Sequence, residues 1–139
     1  ESNGVIRKGA KLLHAFASAT VPRISVVLRK AFGGSYIVMN SRSLGADAVL
    51  AWPDAELAVM GAEGAADIIF RKKLDEQPEL RDELIASYQR DAMHVDLAAR
   101  RGSIDEIIQP DETRGALVSL LRSLKGARQP GFVHDNLPQ

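Results

Sequence analysis

Apolar positions along this chain change their spacing several times, and each change marks an element. Between Gly4 and Ala19, residues Ile6, Ala10, Leu13 and Ala17 recur at helical intervals with Leu12 and Phe16 beside them, while Arg7, Lys8 and Lys11 fall off the stripe. The pattern is that of an amphipathic helix. After Val21-Pro22 the run "ISVVL" (Ile24 to Leu28) is apolar at odd and even positions alike and rich in β-branched residues. A strand without a polar face is covered on both sides, which predicts a parallel sheet with helices packed over it.

Gly33-Gly34 ends that strand, Ser35 to Leu44 reads as a helix, and Gly45 is its C-terminal stop. "ADAVLAW" (Ala46 to Trp52) and "ELAVM" (Glu56 to Met60) read as the second and third strands, with Pro53 between them, and Gly61 to Phe70 as the next helix. The charged segment 71 to 101 places Leu80, Leu84, Tyr88 and Val95 on one long helix with Pro78 near its start. "SIDEII" (Ser103 to Ile108) reads as a short strand. "ETRGALVSLLRSL" is the last helix, capped by Asp111 or Thr113 and striped by Leu117, Leu120, Leu121 and Leu124. No internal repeat is evident in the sequence. Strands alternating with helices make the class α/β, with a body over 1–126 and a polar, Pro-containing tail over 127–139.

Composition narrows the chemistry. Eighteen Lys plus Arg balance eighteen Asp plus Glu, so no global field draws the chain to nucleic acid or an anionic membrane, and an anionic ligand has to be held locally. Cysteine is absent, which removes thiolate catalysis, disulfides and Cys-based metal sites. His14, His94 and His134 are far apart and none has a partner at ligand spacing, so no metal is expected. Without a long apolar run or a signal-like start the chain is expected to be soluble and cytoplasmic, or in the mitochondrial matrix of a eukaryote. The opening "ESNGVIRKGAKLL" has no initiator Met and enters a helix at once, as a piece of a longer chain would.

The stretch "VLRKAFGGSYIVMNSR" (27 to 42) carries no acid, His or Cys, yet it joins a buried strand to a helix through two glycines. Free N–H groups at such a helix start can hold an oxyanion; the alternative is a tight β-to-α turn with a packing role only. Dinucleotide and phosphate-loop glycine patterns are missing. "MGAEGA" (Met60 to Ala65) repeats the strand-to-helix transition, where Glu63 is either a base or a first-turn residue favoured by the helix dipole. Glu56 is read chiefly as structural, His14 as a partly buried hydrogen-bonded residue and His94 as solvated on a charged helix. Arg29 and Lys30 either attract an anion to the turn or end the strand in water. The run "RKKLDEQPELRDE" is read as a solvated helix surface or connection.

The long stretch "VPRISVVLRKAFGGSYIVMNSRSLGADAVLAWPDAELAVMGAEGAADIIFRK" resembles the carboxyltransferase (β) subunit of biotin-dependent acyl-CoA carboxylases of the acetyl-CoA and propionyl-CoA type. "NGVIRKGAKLLHAFASATVP", "AARRGSIDEIIQPDETRGALVSLL" and "HDNLP" are similar too, so the resemblance covers nearly the whole chain. It implies a crotonase-like fold of repeated β-β-α units, of which this chain is the C-terminal portion of the second domain. It also implies a ring-like hexamer, with each site shared between the first domain of one subunit and the second domain of another. The implied reaction moves a carboxyl group from carboxybiotin, borne by a partner biotin carboxylase or carrier subunit, to the α-carbon of a short-chain acyl-CoA.

In that family the biotin-side oxyanion hole falls on a Gly-Ala pair within aromatic-Gly-Gly-Ala-Tyr, which matches Phe32-Gly33-Gly34-Ser35-Tyr36 here. The resemblance therefore assigns catalysis to the backbone N–H groups of Gly34 and Ser35, and contact with the cofactor to Phe32, Gly33, Gly34, Ser35, Tyr36 and Ile37. Ser35 replaces the usual Ala. Ile37 stands where propionyl-type relatives often carry Asp, which suggests a pocket unlike theirs. Ala92 and Val95, followed by Asp96, depart from an aromatic and a Pro common in relatives. Another crotonase-fold acyl-CoA enzyme, such as a hydratase or isomerase, and a non-catalytic oligomerisation unit are the rival expectations.

Overall fold

The computed structural model describes residues 4–126; the tail and His134 lie outside them. The first helix, α1 (Val5–Ser18), forms where its apolar stripe predicts, and buries none of its residues. The strands are β1 (Ile24–Val27), β2 (Lys30–Phe32), β3 (Ala48–Ala51), β4 (Glu56–Ala58) and β5 (Glu106–Ile107). They make two sheets, one ordered β1-β3-β5 and one β2-β4, and every pairing within them is parallel. The expectation of an α/β protein with parallel sheets is met.

Between the strands lie α2 (Gly33–Val38), α3 (Ala62–Ile69), α4 (Arg71–Glu76), α5 (Arg81–Tyr88), α6 (Val95–Arg100) and α7 (Thr113–Ser123). The order strand, strand, helix occurs twice, as β1-β2-α2 and β3-β4-α3. The two units are laid side by side in register, Ile24 against Ala48 and Lys30 against Glu56. This is a repeat of backbone without a repeat of residues.

All four residues of β3 are buried, because β1 covers one edge and β5 the other while side chains close both faces. Val49 and Ala51 join Val27, Ala31, Ala55, Leu57, Val95, Ala98 and Ile104 in one apolar cluster against which Tyr36 packs. Small alanines in that set let helix and sheet backbones approach closely. Asp105 ties β5 to β3: its N–H donates to the Val49 carbonyl at 2.8 Å, its carboxylate accepts from the Val49 N–H at 2.7 Å, and it pairs with Arg42 at 3.3 Å.

Several expectations are corrected. The strand that begins at Ile24 does not run to the glycines; it stops at Val27, and Lys30–Phe32 pairs separately with β4. The helix expected from Ser35 to Leu44 is the short α2 followed by a 3-10 turn, Arg42–Leu44, which Gly45 ends at φ 90°. Segment 71 to 101 is not one helix. It breaks at Pro78, passes through a π-helical turn at Gln89–Met93 and breaks again at His94, whose backbone is extended and bridges antiparallel to Glu56. The cap expected from Asp111 or Thr113 is instead the Glu112 carboxylate, which accepts from the Gln109 N–H at 2.7 Å; Thr113 Oγ1 accepts from Trp52 Nε1 at 3.0 Å.

The end of α2 is fixed by buried Asn40, which adopts φ 71°. A left-handed residue after a helix is ordinarily Gly or Asn, and Asn adds side-chain hydrogen bonds. Asn40 Nδ2 donates to Ser25 Oγ at 2.9 Å, Ser25 Oγ donates to the Asn40 carbonyl at 2.7 Å, and Arg23 Nη1 donates to Asn40 Oδ1 at 3.2 Å. These bonds clamp α2 to β1. Replacing Asn40 by Ala removes them and adds the left-handed penalty, so denaturant titration is expected to show a loss of about 2–4 kcal/mol. Asn40→Gly, which keeps the backbone comfortable, should lose less; equal losses would locate the effect in the side-chain bonds alone.

Candidate active site

The glycine turn sits where β2 ends at Phe32 and α2 begins. Gly33 has φ 64°, and a Cβ there would lie 3.1 Å from the Val59 carbonyl oxygen, so the position combines a left-handed backbone with a close approach that only glycine meets. Gly34 differs. Its backbone is not left-handed, and a Cβ there would meet nothing within 4 Å. The N–H groups of Gly34 and Ser35 belong to the first turn of α2, where no helical acceptor exists, and neither finds a partner among the described residues.

Gly33 and Gly34 open onto a cavity of about 580 Å³ whose wall includes Tyr36, Ile37, Leu57, Tyr88, Leu97 and Arg101. Phe32 and Ser35 line a second hollow of about 530 Å³, with Arg29 and Lys30, and Tyr36 is shared by both. The residues assigned by resemblance are thus divided by α2: Gly33, Gly34 and Ile37 on one side, Phe32 and Ser35 on the other, Tyr36 between. The Ser35 hydroxyl donates to the Phe32 carbonyl at 2.9 Å, which satisfies the hydroxyl within the chain. Desolvation of the partly buried Tyr36 phenol holds its pKa above the usual value, so it remains a neutral group at physiological pH.

Other candidates fall away from this cavity. Arg29 and Lys30 lie in the second hollow and in a third with Trp52, Asp54 and Glu56, and Lys30 Nζ stands 5.9 Å from the Phe32 ring centroid. Glu56 opens β4, and its Oε2 is buried with no hydrogen-bond partner among the described residues. Glu63 is exposed in the first turn of α3. His14 is half-buried on α1. His94 is exposed as expected but does not sit within a helix; its Nδ1 caps α6 by accepting from the Asp96 N–H at 3.3 Å. No local feature of "AARRG" marks Arg101 as a site residue; the π turn and the break at His94 bring it to the wall of the cavity that Gly33 and Gly34 also line. Among the described residues no cluster of three or more His, Asp or Glu could hold a metal ion, and no helix is long and apolar enough to cross a membrane.

The model of the carboxyl transferase domain family matches residues 1–135. The chain belongs to that family. It is 51% identical over 143 residues to the methylmalonyl-CoA carboxyltransferase 12S subunit of Propionibacterium freudenreichii subsp. shermanii, covering 99% of this chain and 27% of that protein. Against the propionyl-CoA carboxylase carboxyltransferase subunit of Haloferax mediterranei it is 49% identical, covering 99% and 28%. The crystal structure of the transcarboxylase 12S hexamer with methylmalonyl-coenzyme A and methylmalonic acid bound superimposes with a TM-score of 0.92 at 50% identity, over 99% of this chain and 28% of that one. The β subunit of geranyl-CoA carboxylase from P. aeruginosa gives 0.72 at 26% identity, over 95% and 27%. The chain therefore spans little more than a quarter of the length of these relatives.

Gly33 and Gly34 should separate cleanly in a melting experiment. Gly33→Ala is expected to cost about 1–3 kcal/mol, from the left-handed backbone and the Val59 contact. Gly34→Ala should leave the melting temperature within a degree or two, because its methyl enters open space. Comparable destabilisation by both would contradict the open face assigned to Gly34.

Proposed function

We propose that this chain is the biotin-facing part of a carboxyltransferase with the crotonase-like fold, acting on a short-chain acyl-CoA within an assembly of several subunits. The observation that carries the reading is the pair of partner-free N–H groups at Gly34 and Ser35 in the first turn of α2, with Gly34 at an open position on a cavity that has no acidic side chain in its wall and Ser35 on the hollow across the helix. The paired β-β-α units and the family membership support it.

The donor set suits biotin, since two backbone N–H groups offer hydrogen bonds to a ureido oxygen, which is an acceptor. Gly34 leaves room for that oxygen to come close. Biotin arriving on a partner as its carboxylated form supplies the carboxyl group and then the base that takes the α-proton of the acyl thioester. The chain itself needs no side-chain base, which accounts for a turn without Asp, Glu, His or Cys. Its N–H groups stabilise negative charge growing on the bound oxygen, and being fixed by the helix they need little reorganisation as that charge develops. Leu57, Val59, Leu97 and the alanines beside them keep water from the carboxyl group in transit, where it would be lost. The Ser35 hydroxyl, held by Phe32, leaves the N–H donors to the ligand. The acyl-CoA half of the site comes from another part of the subunit or from a neighbouring one.

In the intact subunit, Gly34→Val is expected to lower carboxyl transfer at least 10²-fold, in line with the roughly 3–4 kcal/mol that one oxyanion donor contributes, with melting little changed. Glu56→Gln and Glu63→Gln should retain activity within a few-fold. Transfer assays with the acyl-CoA and a carboxylated biotin carrier check all three: normal turnover in Gly34→Val would remove the turn from the mechanism, and a collapse in Glu63→Gln would restore a side-chain base. A wild-type subunit that catalyses acyl-CoA hydration without biotin would favour a hydratase.

A further inference from the structure

The cavity beside Gly33 and Gly34 carries one charged side chain in its wall, Arg101, and no carboxylate to neutralise it. Its surroundings are Tyr36, Tyr88, Ser43, Ser103 and a majority of aliphatic groups, with Leu57, Val59 and Leu97 among them. Arg23, Arg42 and Arg81 are committed to Asn40, Asp105 and Asp67 respectively. Arg101 makes neither an ion pair nor a side-chain hydrogen bond among the described residues. Its backbone is anchored, since the Arg101 N–H donates to the Leu97 carbonyl at 3.1 Å, and the following Gly102 turns the chain away at φ 74°.

We propose that Arg101 is a substrate-binding residue that holds the carboxylate of the transferred group, so that this site prefers an acyl thioester bearing a free α-carboxylate over the same thioester without one. This rests on the carboxyltransferase reading and names which end of the substrate this segment recognises. A carboxylate brought against an aliphatic wall loses hydration and needs a charged donor there. A guanidinium offers two parallel N–H donors that match its two oxygens and stays charged at any working pH. Charge balance selects the carboxylate over the phosphates of coenzyme A: one guanidinium neutralises one carboxylate, whereas a diphosphate with a further phosphate would call for several cations, and the wall has one. Arg29 and Lys30 cannot substitute, because they line the hollows on the other side.

The test uses the complete subunit that contains this segment, as wild type, Arg101→Gln and Arg101→Lys, with calorimetric titration of methylmalonyl-CoA, propionyl-CoA and free CoA and a melting curve for each variant. Arg101→Gln is expected to weaken methylmalonyl-CoA at least tenfold while leaving propionyl-CoA and CoA within twofold, at unchanged melting temperature, with Arg101→Lys intermediate. Equal weakening of all three ligands would place the guanidinium on a phosphate and overturn the inference, as would no weakening of any. A lowered melting temperature without carboxylate selectivity assigns Arg101 a structural role and overturns it as well. If wild type transfers carboxyl groups but Arg101→Gln binds all three ligands normally, the inference alone fails; if wild type binds neither thioester, the carboxyltransferase reading fails with it.

Discussion

The clamp between Asn40 and Ser25 is the constraint on which the glycine turn depends. α2 has only six residues, too few to hold its own position by helical hydrogen bonds. Its direction is set at its two ends. At the start, Gly33 lies against the Val59 carbonyl; at the finish, Asn40 is locked to β1 through Ser25 and Arg23. Arg23 extends the lock to the next unit by donating its own N–H to Asp47 Oδ2 at 2.6 Å while its carbonyl accepts from the Asp47 N–H at 2.8 Å. Polar groups at the sheet edge thus aim a short helix, and the apolar core beneath it supplies bulk stability.

That division explains what could be read from the sequence. "ADAVLAW" announces a buried strand because its apolarity at every position has one structural meaning, and the structure buries every residue of β3. The amphipathic spacing of α1 and the stop at Gly45 are also local signals. β2 was hidden because "LRK" looks like a strand running out into water. Lys30 is a strand residue only by virtue of Glu56, more than twenty positions away in sequence. The break at His94 was hidden for the same reason, since its extended backbone pairs with Glu56, whereas the local pattern of Leu84, Tyr88 and Val95 favours continuity. Gln109 and Glu112 form a cap that a search for Ser, Thr or Asp at the first position passes over.

The candidate site was legible in a different way. Residue chemistry identified only a turn able to donate N–H groups and left its purpose open between packing and binding. The resemblance supplies the expectation of an oxyanion hole there, and the structure separates the two glycines, one bound by backbone geometry and one facing space. Arg101 had no local signature at all: an arginine at the end of a charged helix is usually solvated, and its place on the cavity follows from three breaks in the preceding chain.

Tyr36 lines both hollows, one on each side of α2. Among the described residues it is the one common to the two walls. A substitution at Tyr36 consequently reshapes both hollows at once.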